Sequence, residues 1–374
     1  MVAISIKRGK ALSAYSQQSF KQFLFAMLVL VMFTIALIYS FYDPMKPAIL
    51  QCYIDKLSGS KIPEHLQRLD DVLLAERQPT PGRTIFFLET SCPNPKMQTQ
   101  PIGLTVRQAC AIESAALHNP SYDVFLLYAS PRYMDKKAEY PILDAILSYP
   151  NVHMRNADLW AFTKDSPVEK WFNGAELFKS IYLTAHLSDF FRLLTLWHFG
   201  GTYLDMDTLT LRSMESMPLN FVGLETNISI NNAVLNVSPI GYGHEIAHKW
   251  LLEFQRNFSG TLWPHNGPGV ITKVMRRACC TRKVLELENN PDCCNGFHVY
   301  DKNAFYAINW MELQNFFEEK YLDSMLEKTN TSYLIHLWNI VSKFKTLKTE
   351  SEAPYTVLAR VNCPKAYAAA GEYF

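Results

Sequence analysis

What this chain lacks narrows its function before any motif is read. Lys and Arg number 36 against 35 Asp and Glu, a formal charge of +1, and no long basic stripe runs through the sequence. Nucleic acid would find no electrostatic footprint here and is excluded as a partner. No tandem repeat and no low-complexity tract is present, which sets aside solenoids and arrays. Cys-x₂-Cys spacing is also missing. Cys279-Cys280 and Cys293-Cys294 are adjacent pairs around a charged segment, which fits disulfides better than zinc. Eight cysteines in 374 residues do not make a small disulfide scaffold. They permit 105 complete pairings, so sequence chooses none.

What is present is apolar and aromatic. The chain is 48% hydrophobic with 7 Trp, 19 Tyr and 23 Phe, which rules out a wholly disordered protein. Its length allows one large domain or two smaller ones. Near the amino end, Lys7, Arg8, Lys10 and Lys21 precede an uncharged run over 22–42, and Asp43 and Lys46 follow it. A run of that length can cross a bilayer, and the flanking charge predicts a single-pass type II anchor. On this reading 1–21 is a cytoplasmic tail, 22–42 the transmembrane signal anchor, 43–82 a luminal stem and 83–374 the catalytic domain. A cleaved signal peptide fits less well, because the run exceeds a usual h-region and no small-x-small site closes it. A buried core helix fits less well still, given the terminal position and missing polar face. A luminal body would make Asn227, Asn236, Asn257 and Asn330 N-glycosylation candidates, with Pro239 discouraging Asn236. It would also allow the cysteines to form disulfides.

Along the body, β-prone and helical segments alternate. Pro44, Pro47 and Pro63 interrupt the stem, where Glu64 to Glu76 reads as a short helix. Strand candidates at Thr84–Leu88, Tyr122–Tyr128 and Val152–Met154 are separated by helical patterns at Thr105–Leu117 and Pro141–Leu147. That alternation predicts an α/β sheet with helices on its faces.

The central stretch begins as an apolar helix at Leu187, breaks at Gly200-Gly201, and ends in Thr202-Tyr203-Leu204-Asp205-Met206-Asp207. Asp189 and Arg192, three apart, share a helix face. The two glycines permit a close turn into a short strand. Asp205 and Asp207 would then stand at a strand end, where α/β folds gather ligand groups. Two hard oxygen ligands can hold Mn²⁺, with Mg²⁺ as the alternative, while phosphate oxygens complete the shell.

Later segments add further candidates. His244-Glu245-Ile-Ala-His248 satisfies the His-Glu-x-x-His spacing of zinc hydrolases, although no matching third-ligand motif follows. A zinc-dependent membrane hydrolase is therefore one competing reading, and a glycan-binding protein without catalysis is another. His265-Asn266-Gly267-Pro268 is a loop feeding a helix, whose exposed amides could meet a sugar or phosphate. His336, Trp338 and Asn339 close an aromatic stretch suited to phosphate oxygens and a planar ring, or equally, for the histidine and tryptophan, to a buried packing cluster.

Taken in order, Phe87-Leu-Glu-Thr-Ser91, Ser188-Asp-Phe-Phe-Arg192, Gly200-Gly-Thr-Tyr-Leu-Asp-Met-Asp207, Asn231-Asn-Ala, Asn266-Gly-Pro268 and His336-Leu-Trp-Asn339 resemble the α1,4-glycosyltransferase family that contains lactosylceramide 4-α-galactosyltransferase and α1,4-N-acetylglucosaminyltransferase. The resemblance runs from about residue 83 to 340. It implies a glycosyltransferase A-type α/β domain behind a transmembrane helix, in a Golgi membrane enzyme with a luminal catalytic domain. It also implies a Mn²⁺-dependent retaining transfer of Gal or GalNAc from UDP-Gal or UDP-GalNAc to the terminal sugar of a glycosphingolipid, in α1,4 linkage. Asp205 and Asp207 are placed by it at the metal and the donor diphosphate, with Asp189 and Arg192 orienting the donor side as further catalytic residues. Glu89, Ser91, Tyr203, Asn266, Gly267, His336 and Asn339 are placed at the donor. A front-face transfer and a covalent intermediate on a carboxylate both remain open at this stage.

Overall fold

The computed structural model describes residues 22–36, 45–54, 62–279, 281, 283–288 and 290–374. The chain divides into two units, Met1–Ala48 and Ile49–Phe374. Of the apolar run expected to cross a membrane, 22–36 is helical, and 37–42 lies outside the described residues. Among the described residues no helix is long and apolar enough to cross a membrane. The transmembrane signal anchor at 22–42 is corrected accordingly. The membrane-anchored partner and the type II Golgi membrane localisation rested on it and fall with it.

Among the described residues the body holds twelve strands. In chain order they are β1 (Leu66–Arg68), β2 (Thr84–Glu89), β3 (Gln100–Pro101), β4 (Asp123–Tyr128), β5 (Arg132–Asp135), β6 (Val152–Asn156), β7 (Gly201–Leu204), β8 (Thr208–Thr210), β9 (Phe221–Thr226), β10 (Ser229–Val237), β11 (His298–Tyr300) and β12 (Leu334–His336). Seven form one mixed sheet in the order β11-β9-β10-β7-β2-β4-β6. Its half made of β7, β2, β4 and β6 is parallel, and β10 is antiparallel to both β7 and β9. β4 is buried at every position, because helices cover both faces and successive side chains enter opposite layers. Ile85, Phe87, Val124 and Leu126 pack into one core, while Phe86, Leu88, Phe125 and Leu127 pack into the other.

Helix α1 (Val106–His118) lies over the first core and starts at a capping box in which Thr105 and Gln108 satisfy each other's backbone amides. On the opposite core lie α2 (Leu183–Phe199), α3 (Gly241–Asn257) and α4 (Pro268–Ala278). Among the described residues, disulfides join Cys52 to Cys92, Cys110 to Cys363 and Cys279 to Cys294, and Cys293 is disulfide-bonded as well.

The segment read as a helix over Glu64 to Glu76 is instead β1 followed by turns. Leu66–Arg68 pairs antiparallel with β5, and the buried Asp71 carboxylate accepts the Leu73 and Asp158 amides. Strand pairing and an Asx turn win over local helix propensity here.

Gly200-Gly201 joins α2 to β7 under tight constraint. Both glycines have positive φ, at 60° and 87°. A Cβ on Gly200 would lie 2.5 Å from the Pro239 nitrogen, and one on Gly201 would lie 2.4 Å from the Thr84 carbonyl oxygen. Backbone cannot yield as a flexible side chain can. Gly201→Ala should therefore lower the unfolding free energy by at least about 2 kcal/mol in urea titrations. An unchanged midpoint would show that the turn has slack.

Candidate active site

Strand β7 delivers Asp205 to the carboxyl end of the sheet, and a turn of two residues places Asp207 at the start of β8. Opposite β8 runs β12, with His336 paired to Thr208. This antiparallel ladder brings a histidine from far along the chain beside the acidic pair. The Leu337 amide donates to the Asp207 carbonyl at 2.7 Å, and the Asn339 amide donates to Asp207 Oδ2 at 2.6 Å. Asn339 opens helix α5 (Asn339–Ser342), and the preceding Trp338 holds φ 46°. A bulky residue in that region is strained and persists because its surroundings fix it. Trp338 Nε1 donates to the Ile308 carbonyl, and its ring meets the His336 ring edge-on at 4.3 Å.

Asp205, Asp207 and His336 each offer one ligand atom, all within 4.8 Å of one another. Asp205 Oδ1 is already engaged, by Arg192 Nη1 at 2.8 Å and the Tyr203 hydroxyl at 2.5 Å. Asp207 Oδ2 is taken by the Asn339 amide. The remaining oxygens face the imidazole: His336 Nε2 lies 3.1 Å from Asp207 Oδ1 and 3.7 Å from Asp205 Oδ2. Those approaches suit ion pairing but are misaligned for hydrogen bonds, so both ring nitrogens are buried without a hydrogen-bond partner. Two carboxylate oxygens and an unsatisfied imidazole form a donor set that fits Mn²⁺ or Mg²⁺.

Arg192 organises the rest. Besides Asp205, its guanidinium donates to the Asn232 carbonyl and the Ser188 hydroxyl and lies 4.4 Å over the Tyr203 ring. It also stands 3.4 Å from Asp189, whose Oδ1 accepts from Asn232 Nδ2 at 2.8 Å. Burial works against the Arg192 charge, but Asp205 and its other anionic neighbours outweigh that and raise its pKa further. Burial also opposes ionisation of Asp205, yet the Arg192 charge prevails and holds its carboxyl down at about 2. At His336 burial disfavours the cation, and the Asp207 and Asp205 carboxylates reverse this, pushing the imidazole up to about 10, so a metal ion ligated by the ring would have to displace that proton.

Asp189 behaves differently. Burial dominates the attraction of Arg192 and lifts its pKa to about 6. An acid with a raised folded pKa loses stability as pH climbs from its unfolded value towards its folded one. Asp189→Asn removes that loss, so its melting temperature relative to the natural chain should rise between about pH 4 and pH 6 and then level off. A flat difference across that window would show that Asp189 ionises without penalty.

Gly267 closes this side. A Cβ there would meet Asn232 Nδ2 at 2.6 Å and Asp189 Oδ1 at 2.8 Å, so the loop entering α4 presses its backbone on the polar cluster. Asn266 does not point its amide into the cluster. It is buried and bridges the Ser259 amide and carbonyl instead. Glu89 and Ser91 stand at the carboxyl end of β2, the parallel neighbour of β7, without a described contact to the acidic pair. Glu89 accepts from the Ser91 amide and from Gln108, while the Ser91 carbonyl accepts from Arg132. Ser188 and Asn232 were quoted in the sequence motifs without a role, and the Tyr306 ring, 6.0 Å from His336, was not anticipated. The four-residue interval from Ser188 to Arg192 on one helix was the available signal for the serine.

Among the described residues, Asp205, Asp207 and His336 are the one group of three or more such side chains placed to hold a metal. His244, Glu245 and His248 on α3 gather no third ligand, and Glu245 is exposed. Asn227 and Asn330 are exposed and Asn257 is half-buried, its amide donating to Glu253. Asn236 is a core residue whose side chain joins Thr202 to the Asn220 amide, so this fold leaves no room for a glycan there.

An α/β sheet with an Asp-x-Asp pair and a histidine at the carboxyl end of a parallel strand defines a candidate DXD-type sugar transferase. Residues 105–227 match the glycosyltransferase sugar-binding region containing DXD motif, and 239–370 match the alpha 1,4-glycosyltransferase conserved region. The chain is 31% identical to mouse lactosylceramide 4-alpha-galactosyltransferase over 79% of its length and 78% of that protein. The rat protein of the same name is 30% identical with the same coverage. Human alpha-1,4-N-acetylglucosaminyltransferase is 25% identical over 76% of this chain and 80% of its own length. The chain belongs to the α1,4-glycosyltransferase family that contains these enzymes. Membership makes it a hexosyltransferase in general terms.

Proposed function

We propose that this enzyme transfers Gal or GalNAc from UDP-Gal or UDP-GalNAc to the terminal sugar of a glycosphingolipid, forming an α1,4 linkage with retained configuration. The observation that carries this reading is the convergence of Asp205, Asp207 and His336 on one point at the end of β7, with Arg192 behind it. The named activity of the rodent relatives supports the galactosyl donor and the lipid-linked acceptor. A divalent cation held by those three side chains, Mn²⁺ in our reading, would offset charge on the diphosphate as the sugar–phosphate bond breaks.

The chain's own groups have separate tasks in this scheme. Arg192 and Tyr203 occupy one oxygen of Asp205 and leave the other facing the cluster. Asn339 does the same for Asp207. Asp189 and Asn232, under the Gly267 loop, border the side from which the sugar would be oriented. Retention requires the acceptor hydroxyl to approach the face that the diphosphate vacates.

Purified protein incubated with a panel of UDP-sugars, Mn²⁺ and glycolipid acceptors, followed by linkage analysis, tests this directly. An α1,4-linked Gal or GalNAc product is expected, and it should disappear when a chelator is added. Absence of transfer with every donor and acceptor, or a product of inverted configuration, would overturn the reading.

A further inference from the structure

One segment beside the acidic cluster has a surface that the sugar chemistry does not use. Directly after Asn339, whose amide holds Asp207, the chain presents Ile340, Val341 and Phe344 to solvent, and Phe344 is 84% exposed. Ile340 and Val341 lie in the short helix α5, and Phe344 stands in the turn that follows it. Ser342 between them is buried.

Their exposure is imposed by the fold. Asn339 fixes the start of the segment, and the Arg107 guanidinium of α1 donates to the carbonyls of Ser342 and Lys345 further on. Arg107 is itself sandwiched by the Phe317 and Tyr355 rings. A second stretch runs alongside: the Ile308 carbonyl accepts from Trp338, and Gln314 accepts from Lys345. Between these two anchor points Trp310 and Met311 are exposed. Five large apolar side chains are thus exposed on two stretches tied to each other at Trp338–Ile308 and Lys345–Gln314, and exposed apolar groups on neighbouring braced segments mark a candidate interaction surface.

Position argues for the occupant. Phe344 is five residues from Asn339, at most about 18 Å away even along fully extended chain. A macromolecule seated there would crowd the acidic cluster, whereas the apolar tail of an acceptor whose sugar is in that cluster lies within reach. We infer that Ile340, Val341, Phe344, Trp310 and Met311 form a docking rim for the hydrophobic aglycone of the acceptor, selecting lipid-linked over free glycans. This rests on the transferase reading above and names how its acceptor class is recognised.

The test compares acceptors that share one glycan head and carry a methyl or an octyl aglycone, both kept below micelle-forming concentration. For the natural chain, KM should be at least tenfold lower for the octyl compound with kcat little changed. In the Ile340→Ser/Phe344→Ser double variant that preference should shrink to about twofold, while the methyl acceptor and the UDP-sugar keep their KM and kcat. Phe344→Leu should restore most of it. Octyl glycoside alone should shift the tryptophan emission to the blue, and the shift should vanish in Trp310→Phe and in the double variant. Equal KM for both aglycones, or a preference untouched by the double variant, would overturn the inference. So would a change of sedimentation coefficient in the double variant, which would make the rim an interface between two copies of the chain. Loss of transfer with every acceptor, with the octyl-dependent emission shift retained, would sink the transferase reading and leave the rim standing.

Discussion

Asp207→Ala should lose at least about 100-fold in turnover with every donor while keeping a melting temperature close to that of the natural chain. The size follows from removing one preorganised electrostatic group, which commonly costs 10²–10³ in rate. Two functions are lost together in this variant. One carboxylate oxygen faces His336 and the other holds the Asn339 amide, so substitution takes away a ligand and releases the start of α5. Asp207→Asn separates them, because its amide oxygen can still accept from Asn339 while the charge is gone. It should be as inactive as the alanine variant, with Mn²⁺ binding weakened in calorimetry. Near-normal transfer by Asp207→Asn would show that the charge is dispensable, and near-normal transfer by Asp207→Ala would remove the acidic pair from the mechanism.

Arg192→Met should damage the fold as well as the reaction. Arg192 is buried between the buried Asp189 and the partly exposed Asp205, and removing it strands the Asp189 carboxylate away from water and leaves Asp205 without its main counter-charge. Breaking one partner of a buried ion pair costs about 3–5 kcal/mol, a large share of a typical folding free energy. Urea unfolding should show that loss directly, and the soluble fraction that remains should be inactive. Arg192→Lys should rescue little, since a single ammonium cannot reach Asp205, Ser188 and the Asn232 carbonyl together. A stable, folded methionine variant would mean that the two acids are neutral in the native protein.

The parts of the site that could be read in the sequence are those carried by local pattern. The apolar period of α2, the break at Gly200-Gly201 and the interval between Asp205 and Asp207 all lie within one stretch of chain. The parallel strands were legible as well, because burial on both faces leaves unbroken apolar runs such as Val124–Tyr128 within β4. What could not be derived from local pattern is long-range pairing. The register of His336 against Thr208 depends on a ladder between distant segments, and in the sequence only family resemblance pointed to it. Asn236 and Asn266 illustrate a related limit of sequence reading. A side-chain amide reads the same whether it meets solvent, a ligand or the backbone of a buried loop, and burial alone separates these cases. At Glu64 to Glu76, propensity pointed to a helix, but an edge pairing with β5 decided the outcome.

The bond between Cys110 and Cys363 has a consequence for the order in which the molecule is made. It joins α1 to a position 253 residues later, enclosing β7, β8 and β12 in one covalent ring. Chains are synthesised from the amino end, and nascent segments fold as they emerge. A nascent fragment ending before residue 336 carries the acidic pair without its histidine, and one ending before 363 cannot close the ring. The cluster of Asp205, Asp207 and His336 therefore assembles only once His336 has been made, and the ring between Cys110 and Cys363 closes later still.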